Sequence, residues 1–134
     1  MQSFGRWLGA RQPRPKVRVK VRMSHIPRPM PGGGVELDDY LSVTIENHAA
    51  FSVPIAAVEL LRADGDRVVL PRDPVTGEQG VSEVGPSRTM TRFFGADAVA
   101  AALPHPIAVS VRDELGREWR EPVPEAHLRR LLAP

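Results

Sequence analysis

The residues that could perform chemistry are few, and none stands in a pattern typical of a catalytic or metal site. Carboxylate oxygens suit calcium, and acidic side chains lie close together in three short stretches, namely Asp38 with Asp39, Asp64 with Asp66, and Asp113 with Glu114. None of the three follows the calcium-loop spacing that ends on a Glu. The last two are better explained as turns, so we expect no metal site.

Nucleophilic catalysis also lacks its usual residues. The four histidines are more than 20 positions apart and each fits a turn or surface position: His25, His48, His105 and His127. No Ser lies in a Gly-x-Ser-x-Gly turn. The chain has no Cys, which excludes a thiol nucleophile, a disulfide framework and a zinc site of the Cys type. We expect a protein that is not an enzyme and that uses no cofactor.

Charge is divided unevenly along the 134 residues. The first 28 residues contain eight basic side chains and no acidic one, whereas residues 29–134 contain 10 basic and 16 acidic ones, so +8 and −6 give the net +2. A basic arm on an acidic body is typical of an interaction segment. Its partner could be an acidic protein, a nucleic acid or an anionic surface. The acidic body would oppose close approach to nucleic acid, which favours an acidic protein surface.

Residues 1–15, MQSFGRWLGARQPRP, carry too little apolar surface to order themselves. Phe4, Trp7 and Leu8 would share one face of a single helical turn. They either anchor the arm on a partner or a membrane surface, or dock back onto the chain's own body. The candidate partner-binding residues are the apolar and basic side chains of the arm and of the segment after it: Phe4, Arg6, Trp7, Leu8, Arg11, Arg14, Lys16, Arg18, Lys20 and Arg22.

The segment KVRVKVR that begins at Lys16 alternates strictly, which predicts a strand with its valines buried. Its four cations share the exposed face, where they either keep other copies from pairing with an edge strand or form a binding stripe. Residues 23–34 hold three Pro and three consecutive Gly, which predicts a loop.

The rest of the chain predicts short strands separated by turns. Alternation and turn signals place strands over 37–47, 51–61, 67–70, 87–94, 107–112 and 117–121, and short helices over 96–103 and 125–132. Pro54 places its strand at an edge or in a bulge, and residues 71–86 form the longest irregular stretch. About seven strands of this kind indicate an all-β, antiparallel β-sandwich. We expect a basic arm over 1–15, the sandwich over 16–124 and a helical tail over 125–134.

The stretch from Tyr40 to Arg120 resembles small Ig-like proteins of high-GC bacteria and their phages and prophages. The resemblance is carried by LSVTIEN and FSVPIAAVEL, the Ala-Asp-Gly turn at 63–65, the Gly-Pro-Ser step at 85–87, AVAAAL and VRDELGREW. It implies an Ig-like sandwich used as a structural or adhesive module, such as a capsid decoration protein, and it carries over no active site.

Taken together, these patterns predict a non-enzymatic structural protein, a virion component that docks on a protein lattice through its N-terminal arm. Its partners would be an acidic surface of a capsid or tail and other copies of itself, as a homo-oligomer or in many copies on a lattice. The alternatives are a nucleic-acid-associated protein that uses the arm, and a host-surface or carbohydrate-binding module. No apolar run is long enough to span a membrane. We expect a virion location if a phage encodes the chain and a cytoplasmic one otherwise.

Overall fold

The computed structural model describes residues 15–69, 73, 75, 83–103 and 107–133. Within these ranges the chain forms eight β-strands and two short helices. In chain order they are β1 (Val17–Pro29), β2 (Val35–Asn47), β3 (Val53–Arg62), β4 (Arg67–Val69), β5 (Glu83–Val84), β6 (Thr89–Phe94), α1 (Ala96–Ala101), β7 (Ile107–Asp113), β8 (Glu118–Pro122) and α2 (Glu125–Leu131).

The strands form two antiparallel sheets. One has the order β1-β2-β6, and the other has the order β4-β3-β7-β8 with β5 paired to β3. The prediction of an all-β sandwich with small helices is confirmed, with eight described strands in place of about seven. Because β1 and β8 are the last strands of their sheets, two sheet edges meet along one side of the sandwich.

The hydrophobic core lies between the sheets and takes the alternate side chains that the sequence pattern places inward. Val19 lies on β1, and Leu41, Val43 and Ile45 lie on β2; the last three are fully buried. Trp119 and the tail-helix residue Leu128 pack against this core. Alternation with period two therefore predicted the inner faces correctly, because successive side chains of a strand point to opposite faces.

The loop predicted over 23–34 is wrong for most of its length. β1 continues to Pro29, and only residues 30–34 turn the chain before β2 begins at Val35. The turn is closed by hydrogen bonds between Met30 and Gly34 and from Gly33 to Met30. Proline is compatible with this strand because Pro27 and Pro29 occupy positions whose backbone faces away from β2, where no ladder donor is needed.

The two tight turns predicted at Asp64–Asp66 and at Asp113–Glu114 are present. Gly65 and Gly116 both have positive φ, which glycine adopts without the penalty of a Cβ. Asp113 stabilises the second turn, because its carboxylate accepts hydrogen bonds from the amides of Leu115 and Arg117 and from the Arg117 guanidinium. The irregularity expected at Pro54 is present as a shift of register between Ile55 and Ala57.

The outer face of the second sheet differs from the simple exposed face that alternation predicts. Ser110 is an outward position, yet it is fully buried. Arg67 covers it, donating to the Ser110 hydroxyl at 3.0 Å and to Glu118 at 3.0 Å. Arg112 donates to Glu59, itself 2% exposed. Side chains from β3, β4, β7 and β8 thus form one polar network over this face.

Candidate interaction surface

The predicted basic stripe lies on β1, the outermost strand of the first sheet. Arg18 and Arg22 are exposed, Lys20 is half-buried, and Lys16 is exposed just before the strand begins. The candidates on the N-terminal arm lie outside the described residues: Phe4, Arg6, Trp7, Leu8, Arg11 and Arg14. The surface can therefore be described from Lys16 onward.

The backbone of β1 presents an open edge. The Lys16 carbonyl accepts a hydrogen bond from the His48 amide at 2.7 Å, so the even-numbered residues of β1 face β2. In an antiparallel strand, alternate residues turn their N–H and C=O groups to opposite edges. Within the described ranges β2 is the one strand paired with β1. The residues whose backbone groups face the outer edge are Val17, Val19 and Val21.

This edge borders a cleft of about 600 Å³ between β1 and β8. Residues 17–22 form one wall and residues 118–121 form the other. The inner part is apolar, with Val19 and the half-buried Trp119. The outer part is charged, with Arg18 and Arg22 on one wall and Arg120 on the other. The cleft therefore combines backbone hydrogen-bonding groups, an apolar floor and basic side chains at its rim.

The cations of the basic stripe differ in whether they form an ion pair. Lys20 forms an ion pair with Glu46 at 3.1 Å, and its hydrogen bond holds the pKa of Glu46 below the ordinary value of 4.5 against the opposing effect of burial. Among the described residues, Arg18 and Arg22 have no ion-pair partner. Two of the three cations within residues 17–22 can therefore meet an acidic group from outside.

The opposite wall carries an ion pair of its own. Arg120 is hydrogen-bonded to Glu118, and Arg67 donates to the same carboxylate. These contacts hold the pKa of Glu118 below its ordinary value of 4.5, chiefly through Arg120 and against the effect of burial. The walls of the cleft thus differ, because Arg18 and Arg22 on the β1 wall are more available than Arg120 on the β8 wall.

The sequence did not indicate the β8 wall as part of the surface. Glu118, Arg120 and Glu121 lie about 100 positions from β1 in the chain, and only the meeting of two sheet edges brings them to the cleft. The REWRE pattern predicted a strand with Trp119 inward, but nothing local to it indicates which strand lies beside it.

The other candidate groups form ordinary contacts. The His25 Nδ1 lies 2.5 Å from Asp39, and the His48 Nε2 lies 3.4 Å from Glu46; both histidines are exposed, His25 on β1 and His48 just after β2. Over the part of the chain that the structure describes, no three His, Asp or Glu side chains come together as a metal site. Neither described helix has the length and apolar content needed to cross a membrane.

Comparison with known proteins supplies no identity. No family model matches the chain, and no curated protein matches it. The chain is similar to the X-ray structure of Northeast Structural Genomics Consortium target SoR45, with 16% sequence identity over 81% of this chain and 82% of that chain and a TM-score of 0.34. A likeness this weak carries no functional argument, so the resemblance to Ig-like phage and bacterial proteins stays a prediction.

Proposed function

We propose that this chain is a non-enzymatic interaction protein that binds an extended acidic segment of a larger protein assembly along the outer edge of β1. One observation supports the proposal above the others. Within the part of the chain that the structure describes, Val17, Val19 and Val21 have no strand paired to their outer backbone groups, and these groups border the same cleft as the available cations Arg18 and Arg22.

Binding would occur by strand addition. A segment that pairs with β1 gains main-chain hydrogen bonds, and its alternate side chains provide specificity. Its outer side chains would lie directly beside Arg18, Lys20 and Arg22, at about 5 Å between Cβ atoms. Its inner side chains would meet the apolar floor. A segment in which acidic and apolar residues alternate therefore fits this edge.

The assembly we propose is a virion lattice, and this part rests on the resemblance described above. The basic stripe from Lys16 to Arg22 would contact an acidic lattice surface along this edge. Nucleic acid is the second candidate, because Arg18 and Arg22 could also meet phosphates. The acidic residues of the body argue against it.

The test removes one outward-facing donor from the edge. Val21→Pro deletes a single N–H that faces the cleft, whereas Val21→Ala shortens the same side chain and keeps the N–H. The probe is a short peptide of alternating Glu and Val, titrated into full chains in a Trp7→Phe background so that Trp119 reports binding. We expect Val21→Pro to weaken binding about five- to tenfold relative to Val21→Ala, as expected for one lost hydrogen bond.

Charge reversal provides the second part of the test. Arg18→Glu with Arg22→Glu should abolish peptide binding, and added salt should weaken binding to the unaltered chain. Equal binding by Val21→Pro and Val21→Ala would refute strand addition. Tight, salt-dependent binding of duplex DNA together with no binding of the peptide would favour the nucleic-acid function instead.

A further inference from the structure

The hairpin of β1 and β2 extends beyond the sandwich as a two-stranded ribbon. β6 pairs with β2 only over Leu41–Glu46, and Phe94 is its last residue. Residues 24–29 and 35–40 pair with each other and, within the described ranges, with no third strand. Two strands without further covering are marginally stable in water. This ribbon therefore has backbone groups with which a further strand could pair.

The two edges of the ribbon differ. On β1, the backbone groups of Pro27 and Pro29 face the outer edge, as those of Val17, Val19 and Val21 do. Proline has no N–H to donate there. That edge is blocked against strand addition. The same holds at the turn, where the Met30 N–H donates to the Gly34 carbonyl at 3.1 Å, so the even-numbered positions of β1 face β2.

The β2 edge of the ribbon has no strand paired to it among residues 15–69, 83–103 and 107–133. The Asn47 amide donates to the Arg88 carbonyl at 3.0 Å, so the odd-numbered residues of β2 face the β6 side. The register is unbroken from Asn47 to Val35. Val35, Leu37 and Asp39 therefore turn their N–H and C=O groups to the edge that β6 no longer covers.

The chemistry beside this edge is apolar and acidic. Val35 and Leu37 are 67% and 61% exposed. A pocket of about 460 Å³ lies where β2 leaves β6, and residues 38–40 and 95–98 line it. The ribbon and this pocket together carry one cation, Arg28, and four carboxylates, so their net charge is −3 when His25 is neutral. The four carboxylates are Glu36, Asp38, Asp39 and Asp97.

The neighbouring charges leave that imbalance in place. Arg28 already pairs with Asp38 at 2.8 Å and with Glu36 at 3.0 Å, and these carboxylates raise the pKa of its guanidinium. Asp39 is in contact with His25. An incoming segment must therefore be extended, basic and partly apolar to match this edge.

We propose that the open edge Val35–Asp39 binds residues 1–14 of a second copy of this chain as an added strand. Those residues contain three Arg, no acidic side chain and the apolar residues Phe4, Trp7 and Leu8. The three positive charges match the net charge of the site. This inference goes beyond the proposed function, since it uses β2 and leaves the β1 cleft free.

The distance that residues 1–14 would have to span favours a second copy over the chain's own segment as the occupant. Leu37 is paired with Pro27, which lies ten residues along β1 from Val17, or about 33 Å. The 14 residues before Pro15 extend at most about 46–50 Å. A chain's own segment would be largely consumed in reaching the ribbon, whereas a neighbour's segment can lie along the edge over its full length. Such head-to-tail contacts build rings or open chains.

Sedimentation velocity of the full chain over a range of concentrations tests the proposal. We expect association that grows with concentration and weakens with salt. Leu37→Pro removes one outward N–H without touching the β1–β2 ladder, and Leu37→Ala keeps that N–H. Leu37→Pro should weaken association about tenfold more than Leu37→Ala does. Asp97→Arg, an exposed change on α1, should weaken it by charge alone.

Complementation identifies the occupant. A full chain with Arg6→Glu, Arg11→Glu and Arg14→Glu keeps the edge and loses the basic segment, and Leu37→Pro keeps the segment and loses the edge. At a protein concentration where wild type associates and a roughly tenfold weaker contact does not form, each should be monomeric alone, and a mixture should form a heterodimer that grows no further. A mixture that stays monomeric would overturn the proposal, as would a wild-type chain that is monomeric at every concentration.

Two further outcomes bear on the occupant and on the β1 cleft. If Leu37→Pro abolishes association but the three arginine reversals do not, two β2 edges pair with each other and the proposed occupant is wrong. Val21→Pro should leave self-association unchanged, so a failure of the β1 proposal is distinguishable from a failure of this one. Loss of self-association in Val21→Pro, with Val21→Ala unaffected, would place the arm at β1 and overturn the assignment to β2.

Discussion

Proline placed at two neighbouring positions of β1 tests the edge assignment on which both proposed surfaces depend. Arg22 faces β2 and is paired with Ser42, whereas Val21 faces the cleft. Arg22→Pro therefore removes a donor from the ladder, and Val21→Pro removes one from the open edge. Both substitutions impose the same restriction on φ, so their difference isolates the hydrogen bond.

The size of the difference follows from burial at Ser42. This residue is 5% exposed, so Arg22→Pro leaves its carbonyl without a donor in a place that water hardly reaches. An unsatisfied buried group costs about 1–3 kcal/mol. Val21→Pro leaves every β1–β2 hydrogen bond in place, as Pro27 and Pro29 do farther along the strand. We expect Arg22→Pro to be less stable than Val21→Pro by about 2 kcal/mol, or roughly 6–10 °C in Tm.

The assay is urea unfolding of both full-length variants beside wild type, followed by circular dichroism, with thermal unfolding as a second measure. Arg22→Ala serves as the control for loss of the guanidinium, and Val21→Ala for loss of the partly buried side chain. If Val21→Pro proves as unstable as Arg22→Pro after these corrections, the outward direction of the odd-numbered residues is wrong. Both strand-addition proposals would then lose their basis.

Three other predictions concern the stability of the sandwich. Asp113→Ala should destabilise the chain by about 2–4 kcal/mol in urea unfolding, because it removes three hydrogen bonds at the β7–β8 turn, and Asp113→Asn should cost less; equal costs would argue against this role. Stability should fall as acidification protonates Glu118, since its pKa is lowered in the folded chain: its contribution is present above the ordinary value of 4.5 and is lost as pH falls through the lower folded value. Glu118→Gln should flatten that acid limb in pH-dependent urea unfolding, and an unchanged limb would contradict the assignment. Gly65→Ala should cost about 1–2 kcal/mol through its positive φ, since no atom lies within 4 Å of the added Cβ, and an unchanged unfolding midpoint would count against strain at this turn.

Some features could be predicted from the sequence because they depend on neighbouring residues. Alternation placed Val43 and Ile45 inward, and the Asp-Gly pair at 64–65 placed a turn. The three prolines between Met23 and Gly34 gave the wrong result, because proline excludes a strand only where its missing N–H would face a partner. Ser110 was expected on an exposed face, but Arg67, 43 positions away, covers it.

The candidate surface was predicted in part. Arg18 and Arg22 were expected on one exposed face of a strand, and they lie there. The β8 wall of the cleft and the open edge at Leu37 were not expected, since each depends on where a partner strand lies or ends.

The sequence by itself determined which side chains share a face, the sites of the tight turns and the division into a basic beginning and an acidic remainder. These properties follow from a side-chain period of two, from local φ preferences and from composition. Only the tertiary structure decided which backbone edges stay open. Whether an N–H at Val21 or Leu37 has a partner depends on strands far away in the chain, and no local pattern encodes that pairing.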